Sequence, residues 1–375
     1  MYSTYTVSNK YDYLIVGAGL TGATFAWHAR QAGKHVLVID KRDHVAGNCY
    51  TYKQEGIDIH KFGPHIFHTS DERVWSFLNR FATFNSYVHR VNARNGDRVF
   101  SMPINLTTMN QLWGVRNPQE ALERLERERI AVPHPKSFKE HVLSTVGHEV
   151  YELLFRDYTR KQWGRDPSLL PASLAKRIPV RTTWDDNYFD DKHQGIPIGG
   201  YTAMIEGMLG GCDVRTGADY LADRSELNAL ASRVLYTGPL DAFYGCSLGA
   251  LEHRTLEFRT EVIDVPDYQG CAQLNWTGDD VPWTRTIEHK HFTGVKTPRT
   301  VVTWETPKPW THGDEPYYPM NDEVNNALCR RYSEMASQEK NVVFAGRLGR
   351  YAYLDMHQCI AQAMMLAKKE GLTHE

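Results

Sequence analysis

The chain opens on short apolar runs separated by a glycine turn. Residues 13–16 are apolar, 23–32 are rich in helix formers and stop at Gly33, and 35–39 form a second apolar run ending on Asp40. That order predicts strand, turn, helix, strand. Residues 118–129, "PQEALERLERER", carry charge on most positions after a proline and predict a solvated helix; 138–158 continue the helical pattern. A helical block over 105–178 follows. Beyond it, "LEHRTLEFRTEVIDV" and "TVVTWET" alternate with period two, as strands of a second sheet do. "RVLYTGPLDAF" and "NVVFAGRLG" each run apolar into a glycine turn, so they could return to the first sheet. Residues 356–370 carry a stripe of Ile360, Met364, Leu366 and Ala367, a core-facing helix. With neither repeat nor low-complexity linker, the domains are expected to interleave.

Composition narrows the class. At 375 residues and 43.0 kDa, with 41% hydrophobic and 11% aromatic residues, the chain can bury a sizeable core and is not a disordered protein. A net charge of −2 without a long basic run gives no nucleic-acid footprint, though local arginines could still bind an anionic small substrate. The start lacks a signal-peptide apolar stretch, and no run reaches membrane-spanning length. Six cysteines without a C-x-x-C pair fit free thiols in a reducing compartment. A cytoplasmic protein with no membrane insertion is expected.

Gly17-Ala18-Gly19-Leu20-Thr21-Gly22 is a dinucleotide fingerprint. Gly17 allows the tight turn, Gly19 lets backbone approach a pyrophosphate, and Gly22 lets helix and strand pack closely. Asp40 stands where a ribose hydroxyl would lie. The small and polar residues of "DKRDHVAGNCYTY", the late "FAGRLGRYAYLDM" and the lack of a second G-x-G-x-x-G favour FAD over a nicotinamide enzyme. "KFGPHIFHTS" sets His65 and His68 three apart, but without H-E-x-x-H or a cysteine pair no metal is expected. Arg177, Arg181, Arg285 and Arg347 lie among aromatics, hydroxyls and glycines; arginine forks suit a diphosphate.

Taken in order, "GPHIFHT", "YTRKQWG", "KRIPVR…DDNYF", "GIPIGGYT", "YTGPLD", "TRTIEHKHF", "DEPYYP" and "GRLGRYAYLDM" closely resemble the UDP-galactopyranose mutases of bacterial type, over residues 11–367. The resemblance implies an α/β fold: a Rossmann-like FAD domain (1–80, 199–245, 325–375), a helical-bundle domain with a mobile flap (105–178) and a twisted antiparallel sheet domain (81–104, 179–198, 246–324). It implies a homodimer, an enzyme of the isomerase class, and FAD reduced externally by NAD(P)H. The reaction implied is UDP-galactopyranose to UDP-galactofuranose, with no net redox change. Reduced flavin N5 attacks the anomeric carbon, UDP leaves, and an iminium lets the ring open and reclose.

Carried over by position, Arg177 and Arg285 match the diphosphate arginines. His65 becomes an orienting neighbour of flavin and sugar rather than a general base, with His68 structural. Phe155, Tyr158 and Thr159 match uridine positions, Tyr158 as stacking platform. Trp163, Tyr188, Asn275, Tyr318 and Tyr353 match sugar-nucleotide positions, with His89 another polar residue on that side. Gly17, Gly19, Gly22, Asp40, Lys41, Gly47, Asn48, His65, Ile66, Val214, Gly346, Arg347, Asp355 and Met356 match flavin contacts. Ala46 departs from the family pattern, which has glycine there. The alternatives are a mutase for UDP-N-acetylgalactopyranose or a deoxysugar nucleotide, an amine-oxidase-like flavoprotein, and a flavin-binding redox sensor.

Overall fold

The computed structural model describes residues 10–177, 179–311 and 313–373, without the side chains of 176 and 177. Strand β1 (Tyr11–Val16), helix α1 (Leu20–Gln31) and strand β2 (Val36–Asp40) form the expected opening unit. Every residue of β2 is buried, as in a strand covered on both faces. The parallel sheet runs in the order Val342–Phe344, Ala231–Tyr236, β1, β2, Asp213–Thr216. The two late apolar runs thus do return to the first sheet. Helix α1 turns Ala23, Phe25, Ala26 and Ala29 into a core shared with Ile360, Ala363 and Ala367 of the last helix, Met356–Lys369.

A second sheet holds seven strands: Tyr318–Pro319, His253–Ile263, Thr300–Pro309, Arg285–Glu288, Gln273–Trp276, Val91–Asn95 and Arg98–Met102. It is antiparallel except where Gln273–Trp276 lies parallel to Val91–Asn95. The segment 179–198 contributes no strand to it; His193–Gly195 pairs instead with Phe67–Thr69. Between the sheets, the hairpin Thr51–Gln54/Ile57–His60 packs Ile57 and Ile59 on Val301. That contact carries "KFGPH" over the face of the larger sheet.

The helical block comprises Leu106–Trp113, Pro118–Glu128, Phe138–Val150 and Arg156–Trp163, with a π turn at Tyr151–Phe155. The helical pattern read over 138–158 is broken at Gly147 (φ +83°), where a side chain would meet the Glu128 carbonyl. Lys161 Nζ ties the block to the larger sheet by donating to the carbonyls of Trp276 (2.9 Å), Trp283 (3.0 Å) and Val281 (3.2 Å). Arg254 adds a hydrogen bond from Nε to the Gln162 carbonyl at 3.1 Å. Among the described residues no helix is long and apolar enough to cross a membrane.

Candidate active site

The glycine turn after β1 is built to a tolerance of less than a methyl group. A Cβ on Gly22 would lie 1.9 Å from the Gly17 carbonyl oxygen, and one on Gly17 (φ +106°) 2.0 Å from Thr237 Oγ1. Gly19 differs: its backbone is extended (φ −84°, ψ −171°), and a Cβ there would meet nothing closer than Gly47 Cα at 3.8 Å. Neither torsion nor neighbours require glycine at 19. A group brought against the bare backbone would, and a pyrophosphate at the N-terminus of α1 is such a group. The crease therefore fits a dinucleotide.

Asp40 was expected to meet a ribose. Its Oδ2 accepts from Ala18 N at 2.8 Å and its Oδ1 from Arg42 N at 3.0 Å, so the carboxylate also pins the glycine turn to the end of β2. Lys41 pairs with Glu315 (2.9 Å), and Arg42 bridges Glu315 and Asn48 Oδ1, each at 2.9 Å. Glu315 and Arg42 were missed in the sequence; the adjacent Lys-Arg pair was the available signal. Ala46 donates its N–H to the Ala18 carbonyl and stands at φ +75°. That torsion costs an L-residue about 1–2 kcal/mol and explains why glycine suits the position. Val214 lies on the edge strand opposite Val38 and is exposed. Asp355 caps the last helix through a capping box with Gln358, and Met356 Sδ accepts from Cys49 Sγ at 3.7 Å. Gly346 (φ +74°) packs its backbone against Thr21 beside the same turn.

On the larger sheet, register builds a row. Asn275 pairs with Arg285, Arg285 with Glu305, and Glu305 with Phe258. Directly paired residues share a face, so four strands present these side chains together. Arg285 Nε contacts Glu305 Oε2 at 2.5 Å, and Nη2 donates to Tyr318 OH at 3.2 Å. Glu305 is fully buried. Burial raises its pKa and the Arg285 charge pulls it back. The row meets "KFGPH" at Gly63 (φ +92°), where a Cβ would lie 3.0 Å from Glu305 Oε1.

His65 follows. Its backbone N donates to His60 Nδ1 (3.1 Å), and its ring Nδ1 contacts the Gly63 carbonyl at 2.8 Å. A carbonyl only accepts, so Nδ1 carries the hydrogen and Nε2 is left as a bare acceptor. Burial pushes the imidazole down to about 4; the Gly63 bond opposes this, and the charges of Arg347 and Arg285 add to it. Neutral His65 can orient a hydroxyl but carries no charge near neutrality. His68 is held by Asp191 Oδ2 at 2.6 Å and stacks on Phe189 at 3.7 Å. Its Nδ1 is thereby occupied.

The aromatic candidates gather above the row. Tyr318 stacks with Tyr353 (6.0 Å) and lies 6.5 Å from Trp163; the Arg347 guanidinium stands 5.4 Å over Tyr353. Tyr158 lies within electrostatic reach of Arg285, Tyr188 and Tyr318. His89 meets Tyr188 at 5.4 Å. Of the other expected uridine residues, Phe155 packs against Phe138 at the helical core, and Thr159 is buried. Arg177 ends the short helix Ala172–Arg177, and its side chain lies outside the described residues. Asn48 and Gly47 sit beside the glycine turn, and Ile66 is buried next to His65.

Buried neutral histidines give a pH prediction. Burial lowers His60 well below its ordinary value of 6.5, His65 to about 4, and His89 and His289 to about 3. Unfolding frees each to take a proton near pH 6.5, so the stability they hold is full above that pH. It is lost as the pH falls through the folded values. The denaturant midpoint should therefore drop progressively from pH 6.5 toward 4, and replacing His289 by glutamine should flatten that slope.

A model of the UDP-galactopyranose mutase family matches residues 153–353, and one of NAD(P)-binding Rossmann-like domains matches 15–81. The probable UDP-galactopyranose mutase of Klebsiella pneumoniae is 42% identical, over 96% of this chain and 94% of that protein. The dTDP-fucopyranose mutase of Escherichia coli is 38% identical, over 95% of this chain and 97% of that one. The crystal structure of a reduced UDP-galactopyranose mutase superposes with a TM-score of 0.75 at 14% identity, covering 97% of this chain and 95% of its own, which speaks for the fold. With the fold, the glycine crease and the relatives in agreement along nearly the whole length, the chain belongs to the UDP-galactopyranose mutase family of isomerases.

Proposed function

We propose that the protein interconverts UDP-galactopyranose and UDP-galactofuranose, with reduced FAD seated in the glycine crease. The observation that carries this reading is the row Asn275–Arg285–Glu305 meeting the Gly63–His65 turn. Reduced flavin would supply the nucleophilic nitrogen that lets the sugar ring open and reclose. The chain's own share is binding and charge. Arg285, braced by Glu305 and Tyr318, stands to stabilise negative charge developing on departing UDP. Arg177 would join it from the flap, and Tyr158 would stack the uracil. Neutral His65 accepts a hydrogen bond and orients the sugar without taking up a proton. External reduction by NAD(P)H and a homodimeric assembly belong to the same proposal.

The 38% identity to a dTDP-fucopyranose mutase supports a second reading, a deoxysugar nucleotide as substrate. One experiment serves both. Dithionite-reduced holoenzyme is incubated separately with UDP-galactofuranose and dTDP-fucofuranose, and the pyranose products are separated by chromatography. Preferential conversion of the first is expected; faster conversion of the second would move the substrate to the deoxysugar. Oxidation of an amine with peroxide release, and no conversion of either nucleotide, would overturn the mutase reading.

A further inference from the structure

We propose that His68, His357 and Asp355 form a binding site for a divalent transition metal of zinc's class, with Asp191 as the carboxylate that holds His68 from behind. The inference concerns neither flavin nor sugar and stands apart from the mutase reading.

The three residues come together where strand Phe67–Thr69 meets the start of the last helix, Met356–Lys369. One ligand atom from each lies within 4.8 Å of the other two. Spacing in the sequence offers His65 as the partner of His68, but the His65 Nδ1 is engaged with the Gly63 carbonyl. His357 takes that place from the far end of the chain, its ring 5.0 Å from that of His68 and inclined to it by 69°.

The hydrogen bonds prepare His68 as a ligand. Asp191 Oδ2 lies 2.6 Å from His68 Nδ1. A carboxylate accepts, so Nδ1 carries the hydrogen and Nε2 presents a lone pair. Ser70 Oγ donates to Asp191 Oδ1 at 3.0 Å and fixes that carboxylate in turn. A carboxylate behind a ligating imidazole is the usual support of a zinc histidine. His357 adds an independent sign: its Nδ1 is shut off from solvent and has no hydrogen-bond partner among the described residues. A buried polar atom left so costs about 1–3 kcal/mol, and a bound ion would satisfy it. Asp355 accepts the Gln358 N–H in its capping box, which uses only part of a carboxylate's accepting capacity.

Two imidazoles and a carboxylate are a zinc set, with the fourth tetrahedral position left for water. Calcium and magnesium take more ligands, all oxygen. The other acid-histidine cluster, Asp267, Glu288 and His291, already holds a cation: Lys290 Nζ stands 3.1 Å from Asp267 Oδ2. Glu288 there accepts from the backbone of Tyr268 (3.0 Å) and Gln269 (2.8 Å). That cluster serves as the control.

The test is equilibrium dialysis of flavin-loaded protein against Zn2+ with Mg2+ in excess, the zinc being counted per chain. The parent should retain one tightly held Zn2+. His357→Ala should weaken it at least about a hundredfold, and Asp191→Asn about tenfold, the usual effect of losing the support behind a ligand. His291→Ala should match the parent. Flavin absorbance per chain and the denaturant midpoint in metal-free buffer report whether each variant is folded; His357→Ala decides alone if Asp191→Asn is not. Parent protein that retains no zinc would overturn the site. So would equal retention by His357→Ala, which would place the ion on thiols or other histidines, or loss of the ion in His291→Ala.

Discussion

Arg285→Ala should lose two to three decades of turnover, about 3–4 kcal/mol of transition-state stabilisation. It should also unfold more easily by about 3–5 kcal/mol, the cost of stripping one partner from a buried ion pair. The second effect comes from Glu305, fully buried and 2.5 Å from the guanidinium. The two losses separate in a double variant. Arg285→Met with Glu305→Leu removes both charges, so its denaturant midpoint should return toward the parent's while the reduced enzyme stays inactive. Recovery of turnover along with stability would remove Arg285 from the chemistry.

The same pair sets a pH signature for the single variant. Burial raises the Glu305 pKa, and Arg285 is the charge that opposes it. In Arg285→Ala only the raising influence survives. The folded pKa, already raised in the parent, then lies further above the unfolded one, about 4.3. Stability is full below that value and is lost as pH rises through the folded pKa. The gap between parent and variant should widen upward from about pH 4, opposite to the acid lability of the buried histidines.

What the sequence disclosed depended on distance along the chain. The β1–α1–β2 unit and the last helix were legible because periodicity and glycine placement are local signals. "KFGPHIFHTS" showed its two histidines but not their difference: Gly63 holds one ring and Asp191 the other, 123 residues beyond His68. Glu305 escaped notice because a lone acid in "TVVTWET" looks like a strand's solvent face. It is in phase with Val301 and Thr303, both buried, and its partner arrives from a neighbouring strand. Register among Gln273–Trp276, Arg285–Glu288, Thr300–Pro309 and His253–Ile263 is a tertiary fact that no motif encodes. The π turn at Tyr151–Phe155, which sets where the Phe155 ring packs, is likewise invisible in the helical pattern of the sequence.

Gly19→Ala is the sharpest test of the cofactor. The added Cβ would sit at an ordinary 3.8 Å from Gly47 Cα on extended backbone, so the apoprotein should fold with its midpoint within about 1 kcal/mol of the parent. FAD affinity should nevertheless fall at least tenfold, read as flavin absorbance per chain after gel filtration, because the methyl occupies the space the pyrophosphate needs. Gly22→Ala is the contrast. Its Cβ would meet the Gly17 carbonyl at 1.9 Å, so helix and strand must separate. Overpacking of that kind costs about 1–3 kcal/mol, and flavin and stability should be lost together. If Gly19→Ala kept its full flavin complement, the backbone at 19 would not be the phosphate contact, and its glycine would be left without a cause.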